Sequence, residues 1–123
     1  MPDHGLTTIK KRWEFDRIFR TGVRAQGELV RLLFLRLSEA DGPAAGYAVG
    51  KKQGPAHVRN RGKRVLREAY RRLCRWVFRD VVAVLSLKDA GLSANARDVY
   101  YDMARLFAKK KLLTQEWPGA VWL

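Results

Sequence analysis

The chain of 123 residues has little cysteine, little histidine and few acidic residues. Its one cysteine, Cys74, cannot form an internal disulfide, which fits a reducing compartment. The cysteine and the two histidines do not stand at zinc-ligand spacings, and no Walker-type glycine-rich phosphate loop is present. The acidic residues are scattered, without the close cluster that would hold two metals for phosphodiester hydrolysis. The sequence therefore predicts neither a catalytic residue nor a metal site on the protein itself.

Long apolar runs are also missing. No stretch approaches the roughly 18 consecutive apolar residues of a membrane span, and near Met1 no apolar run follows basic residues as it does in a secretory signal. These absences predict a cytoplasmic protein without a membrane partner.

Positive charge, in contrast, is present in excess. The chain has 25 lysines and arginines against 12 aspartates and glutamates, a formal net charge of +13. Because such an excess repels itself unless a polyanion neutralises it, the composition favours a nucleic-acid-binding domain. The alternative is a binder of anionic membrane surfaces, which would need a strong apolar face exposed beside the basic one.

The length predicts one domain, with a core at about residues 9–110 and a tail at 114–123 that contains Trp117 and Trp122. Three helices are predicted. The first runs from near Thr8 to just before Gly22, the second covers about 55–77, and the third covers 96–111. The third helix has a predicted buried stripe of Val99, Met103, Leu106 and Phe107.

Strands are predicted at about 29–37, 44–50 and 80–87, with a short extra strand near Val23. Alternation in the first places Leu33, Leu35 and Leu37 on one face and Val30, Leu32 and Phe34 on the other. We expect the strand at 44–50 to form a hairpin with it, through a turn at 41–43. The strand at 80–87 is almost continuously apolar and is expected to be central. The fold class predicted is α+β, a small sheet with helices packed on it.

The second helix has two unlike faces. Val58, Val65, Leu66, Ala69 and Leu73 gather on an arc that can pack on the sheet, and a basic face lies beside it. Residues 51–79 contain eleven lysines and arginines against one acid, Glu68. An ordinary solvated helix mixes charges of both signs to gain i,i+4 pairs, and this helix has almost none. Arginine binds phosphate through two parallel hydrogen bonds, so the pattern indicates a phosphate-binding face.

These residues carry a resemblance to a known family. The stretch "GYAVGKKQGPAHVRNRGKRVLREAYRR" resembles the signature of the bacterial ribonuclease P protein component, in which an R-N-R-x-K-R-x-x-R-E helix follows a G-x-x-V-x-K-K strand end. "IKKRWEFDRIFRTG" is similar to that family's first helix through Phe15, Phe19 and Gly22. The resemblance implies the order αβββαβα, with an unusual left-handed βαβ crossover around the basic helix.

The resemblance also implies a function. The family's protein is the subunit of an endoribonuclease whose catalytic centre lies on an RNA. That RNA, with Mg²⁺, removes the 5′ leader of precursor tRNA, and the protein carries no cofactor of its own. The implied contacts with the catalytic RNA are Arg59, Asn60, Arg61, Lys63, Arg64, Arg67 and Arg71, with Lys51 and Lys52. The implied cleft for the leader consists of Phe15, Phe19, Phe34, Asn60, Lys63 and Arg67. The alternative is a ribosomal or general RNA-binding protein with a split βαβ fold and no nuclease partner.

Overall fold

The computed structural model describes residues 7–8, 12–38 and 44–123, so the predicted turn at 41–43 lies outside the described residues. Within them the chain forms three helices and five strands in an α+β arrangement. The elements are β1 (Thr7–Thr8), α1 (Arg12–Thr21), β2 (Val23–Gln26), β3 (Val30–Arg36), β4 (Ala44–Ala48), α2 (Ala56–Leu73), β5 (Val81–Leu87) and α3 (Ala96–Lys109). After the two-residue β1, the order is the αβββαβα that the resemblance implied. The helix predicted from Thr8 begins instead at Arg12, because Thr7 and Thr8 pair with β4.

The sheet has the order β1-β4-β5-β3-β2. The predicted hairpin of β3 with β4 is wrong, because β5 lies between them, antiparallel to β3 and parallel to β4. The first five residues of β5 are all buried, so this strand gains most from a central position covered on both faces. The predicted extra strand near Val23 is β2, which pairs only with β3 among the described residues and forms one edge.

Helices cover both faces of the sheet. Val30, Leu32 and Phe34 of β3 join α2 and α3 in the larger core. Leu33 and Leu37 face the other side and join Ile18 of α1 in a smaller one. The predicted alternation in β3 is confirmed, as is the buried stripe of α3. The hand of the β4–α2–β5 crossover stays a prediction from the resemblance.

A buried carboxylate ties α3 to the turn between β2 and β3. Asp102 is 3% exposed, and its carboxylate accepts hydrogen bonds from the backbone N–H groups of Glu28, Leu29 and Val30 at 3.1, 2.9 and 2.9 Å. Gly27 precedes this turn, and a Cβ there would overlap the carboxylate. This contact fixes the edge hairpin against the helix layer.

The tail docks on the helices. The backbone N–H of Thr114 donates to Trp76 O, and Leu113 forms a β-bridge with Val77. Farther on, the indole of Trp122 lies beside Tyr100 and under the guanidinium of Arg72, which is 3.7 Å from the ring centroid. Arg72 also donates to Leu123 O at 2.9 Å. Both tryptophans of the predicted tail therefore lie against the body of the protein, since Trp117 also packs against the larger core.

Candidate nucleic-acid interface

The first candidate surface is the outward face of α2. The helix begins after Pro55, whose fixed φ of −68° suits a helix start. Its buried side is formed by Gly62, Leu66, Ala69, Tyr70 and Leu73. The predicted arc is therefore rotated: Val58 and Val65 are only half-buried, whereas Gly62 lies against Val49 and Leu87. A glycine at this contact lets the helix backbone approach the sheet closely.

Most predicted phosphate contacts lie on the opposite side of this helix. Asn60, Arg64 and Arg67 are exposed, and Arg59, Lys63 and Arg71 are half-buried. The guanidinium of Arg67 lies 5.4 Å from the ring centroid of Tyr47 on β4, a cation–π arrangement that orients it along the β4 side of the helix.

Arg61 is oriented differently. Its two terminal nitrogens donate to Leu92 O at 2.9 Å and Ala94 O at 3.1 Å, in the loop that follows β5. Both bonds bring a charged donor to backbone carbonyls, so Arg61 holds this loop against α2. The expectation that Arg61 contacts RNA stays a prediction, and Arg61 has a structural role that the motif did not indicate.

Glu68, the only acid of α2, is engaged by two arginines of the same helix. Its Oε1 accepts from Arg72 Nη1 at 2.7 Å and from Arg71 Nη2 at 3.0 Å. The hydrogen bond from Arg72 is the largest effect on Glu68 and holds its pKa below the ordinary value. Burial opposes this shift, and the charge of Arg72 and the hydrogen bond and charge of Arg71 support it. Among the residues that the structure describes, no ion pair neutralises Arg64 or Arg67 on the basic face.

Lys51 and Lys52 lie in a short 3-10 turn at the end of β4, and both are exposed. Gln53 anchors this turn: its side-chain amide donates to Leu87 O at 2.8 Å and accepts from the N–H of Gly50 at 3.1 Å. The two lysines therefore stand between the carboxyl end of β4 and the start of α2. The role of Gln53 carried no signal in the sequence, because its partner belongs to a strand 34 residues away.

The second candidate surface is a groove on the other face of the sheet. There α1 packs through Ile18 and Phe15 and leaves part of the sheet uncovered. The groove has a volume of about 420 Å³. The described side chains of its lining are apolar, uncharged polar or basic, and none of them is acidic: Phe19, Arg24, Ala25, Gln26, Arg31, Leu32, Leu33, Ala48, Val84 and Ser86. Phe19 is 50% exposed, so its ring is accessible for stacking on a base.

The groove differs in part from the cleft that the resemblance implied. Phe19 lines it, and Phe15 lies half-buried in the contact of α1 with the sheet. The prediction that Phe34 lines the cleft is wrong, because this side chain is 8% exposed and lies in the core on the opposite face of the sheet. Asn60, Lys63 and Arg67 lie on α2, across the sheet, and do not line it either.

Two basic groove residues were missed by the motif. Arg31 shares its face of β3 with Leu33, and it pairs in register with Gln26 of β2 and Ser86 of β5. Strand alternation alone would have found Arg31, because it is two residues before Leu33. Arg24 is on the neighbouring strand, where its Nη2 donates to Phe19 O at 3.4 Å.

The two surfaces meet at the end of β4. Ala48 lines the groove, and Lys51 follows three residues later in the turn that leads to α2. Over the described ranges, no three His, Cys, Asp or Glu side chains come together as metal ligands do, and no helix has the length and hydropathy to cross a bilayer.

The chain is similar in sequence to known proteins. A family model described as Ribonuclease P matches residues 5–111. The ribonuclease P protein component of Symbiobacterium thermophilum is 30% identical over 108 residues, which are 88% of this chain and 94% of that protein. The corresponding protein of Natranaerobius thermophilus is 39% identical over 66 residues, and this match spans only 56% of that relative.

Solved structures are similar in fold. The RNase P protein of Staphylococcus aureus has a TM-score of 0.75 at 20% identity, with 87% of this chain and 97% of that chain covered. The RNase P protein of Thermotoga maritima has a TM-score of 0.70 at 24% identity, with 80% and 92% covered. At these identities the likeness shows a shared fold.

Proposed function

Because this chain belongs to the family of ribonuclease P protein components, we propose that it assists a catalytic RNA in removing the 5′ leader of precursor tRNA. In this proposal the protein binds both the RNA subunit and the leader, in the cytoplasm. Hydrolysis takes place on the RNA with its Mg²⁺, and no residue of the protein acts as a catalyst.

The observation that carries the proposal is the pair of basic surfaces joined at the end of β4. On α2, Asn60, Arg64 and Arg67 point outward. Each arginine that neutralises a phosphate releases a counterion, so binding to a folded RNA would depend steeply on salt. Asn60 adds a group that can bind a base edge or a 2′-hydroxyl, which a simple cation cannot do.

The groove supports the second half of the proposal. Phe19 presents an exposed ring for stacking on an unpaired base, while Arg24 and Arg31 offer charge to the backbone of the same strand. The described lining contains no acid and includes small or apolar residues such as Ala48 and Val84, which suits a single strand of any sequence. Lys51 and Lys52 then lie between the strand in the groove and the RNA on α2.

The test of the function is reconstitution. The purified protein is added to a bacterial ribonuclease P RNA at low Mg²⁺, and cleavage of precursor tRNA is measured. Stimulated removal of the leader is expected, with no cleavage by the protein alone. Cleavage without the RNA, or no effect on the RNA's activity, would reject the proposal. RNA binding without stimulation would favour the general RNA-binding alternative.

Two variants test the surfaces separately. Arg64→Ala is expected to flatten the dependence of log K on log[salt] for the RNA subunit by about 0.9, the value for one lost phosphate contact. Phe19→Ala is expected to weaken binding of precursor tRNA by about 1–3 kcal/mol and to leave mature tRNA unaffected, because only the precursor has a leader whose unpaired bases can stack on this ring. Equal losses for both tRNAs would remove the groove from the proposal.

A further inference from the structure

A second, shallower groove lies on the helix side of the sheet, between the β2–β3 turn and the C-terminal half of α3. Its volume is about 290 Å³. Arg105 and Lys109 form its α3 wall, and Gln26 and Glu28 contribute from the hairpin. Apart from Gln26, no residue of this surface belongs to the first groove or to the basic face of α2.

The two grooves meet at one residue. Gln26 is the last residue of β2 and lines both of them. Because β2 is an edge strand, it alone among the described elements lies between the groove lined by Arg24 and Arg31 and the groove lined by Arg105. A chain that leaves the first groove past Gln26 would therefore enter the second.

The exposed charges of the second groove are mainly positive. The guanidinium side chain of Arg105 is 66% exposed, and Lys109 is exposed. Arg105 Nη2 forms an ion pair with Asp102 Oδ1 at 3.7 Å, a distance longer than a hydrogen bond. That carboxylate is already occupied by three backbone N–H groups of the hairpin turn. The lining therefore contains two cations and two acids, of which Asp102 is buried and Glu28 is exposed, so the cations outnumber the acids only among the exposed side chains.

We propose that the single strand in the first groove continues around the β2 edge, and that Arg105 and Lys109 bind its phosphates on α3. The proposal rests on the function proposed above and extends the leader-binding surface to a second face of the protein. It predicts that these two residues contribute only when the leader is long enough to pass Gln26.

The experiment compares two precursor tRNAs, with leaders of about 4 and about 12 nucleotides, within the range of site sizes found for small single-strand-binding folds. Both are bound to holoenzyme reconstituted with the double variant Arg105→Gln, Lys109→Gln. For the long leader, the salt slope is expected to fall by about 0.7 per lost contact, the value for single strands. The short leader is expected to bind as it does to the unmodified holoenzyme.

The matched control is Arg97→Gln, Lys111→Gln, which removes two exposed charges near the ends of the same helix, outside the groove. This control variant should change the binding of both precursor tRNAs little and by equal amounts. If the two double variants behave alike, or if the Arg105 and Lys109 variant affects both leaders equally, the inference is wrong.

Phe19→Ala separates this inference from the function on which it rests. If Phe19→Ala weakens the binding of both precursors while the Arg105 and Lys109 variant changes neither salt slope, the path around the β2 edge is rejected and leader binding in the first groove stands. If Phe19→Ala has no effect on the binding of either precursor, leader binding in the first groove is rejected, and the path around the β2 edge is rejected with it. Thermal unfolding of each variant confirms that it is folded before binding is measured.

Discussion

Removal of the Asp102 carboxylate should destabilise the protein more than any other single change to an acidic residue discussed above. In Asp102→Ala, three backbone N–H groups at the β2–β3 turn lose their acceptor at once. A hydrogen bond to a charged group contributes about 1.5–3 kcal/mol. The N–H groups of Glu28 and Leu29 are part-buried and can regain water, whereas that of Val30 is buried. The expected loss in the free energy of unfolding is therefore about 3–5 kcal/mol, below the simple sum.

The loss can be measured by urea denaturation followed by tryptophan fluorescence. At roughly 4 °C per kcal/mol for a chain of this size, Tm should fall by about 12–20 °C. Asp98→Asn is the control, since it removes an exposed acid from the first turn of the same helix and should cost only about 0.3–1 kcal/mol. A loss below about 1 kcal/mol for Asp102→Ala would refute the reasoning, because the three donors would then have found other partners.

A double-mutant cycle with Gly27 gives an independent check of the same geometry. Gly27→Ala places a methyl group where the Asp102 carboxylate lies, so it should destabilise the unmodified protein. In the Asp102→Ala background the obstacle is gone, and the same change should cost much less. A coupling energy of about 1–3 kcal/mol is expected. Additive losses would mean that the carboxylate and the turn are not in contact in solution.

Three further changes test other contacts. Arg61→Ala should lower the free energy of unfolding by about 1–2 kcal/mol, since two loop carbonyls lose a charged donor. Arg64→Ala should change the free energy of unfolding by less than about 0.5 kcal/mol. Equal losses for the two variants in urea denaturation would contradict the role of Arg61 in anchoring the loop. Trp122→Ala should lower the free energy of unfolding by about 1–2 kcal/mol because the stack on Arg72 is lost, and Trp122→Phe should lower it clearly less. An unchanged Tm for Trp122→Ala would mean that the tail does not dock. A hydrogen bond from Arg36 holds the pKa of Asp80 below its ordinary value, so the pair stabilises the fold above about pH 4 and loses this effect as pH falls through the lowered pKa. Both side chains are more than a third exposed, so Asp80→Asn should lower the free energy of unfolding by under about 1 kcal/mol at pH 7 and by almost nothing at pH 2. A loss of the same size at both pH values would contradict this prediction.

Local periodicity was a reliable guide wherever a side chain's position depends on its own element. Alternation placed Leu33 and Phe34 on opposite faces of β3, and helical spacing placed Met103 and Phe107 in the core. Both follow from backbone geometry, which repeats every two residues in a strand and every 3.6 in a helix. The family motif then identified the basic face of α2, because the spacing of its arginines and Asn60 is itself the signal.

The same reasoning failed where a residue's partner comes from a distant part of the chain. Phe34 was placed in the cleft through the resemblance, although its strand face is turned toward the helix layer. Arg61 belongs to the basic motif by spacing, yet its guanidinium binds carbonyls more than 30 residues away. Alternation along β3 had already grouped Phe34 with Val30 and Leu32, whereas no one-dimensional pattern indicates the partners of Arg61.

The sequence by itself determined the α+β class, the faces of β3 and α3, the basic side of α2 and the family. Only the tertiary structure decided that β5 inserts between β3 and β4, and that insertion builds the groove from Phe19, Arg31 and Ser86 on separate elements. The physical reason is that periodicity fixes which residues share a face, whereas the neighbour of each strand depends on the total apolar area buried by the whole sheet.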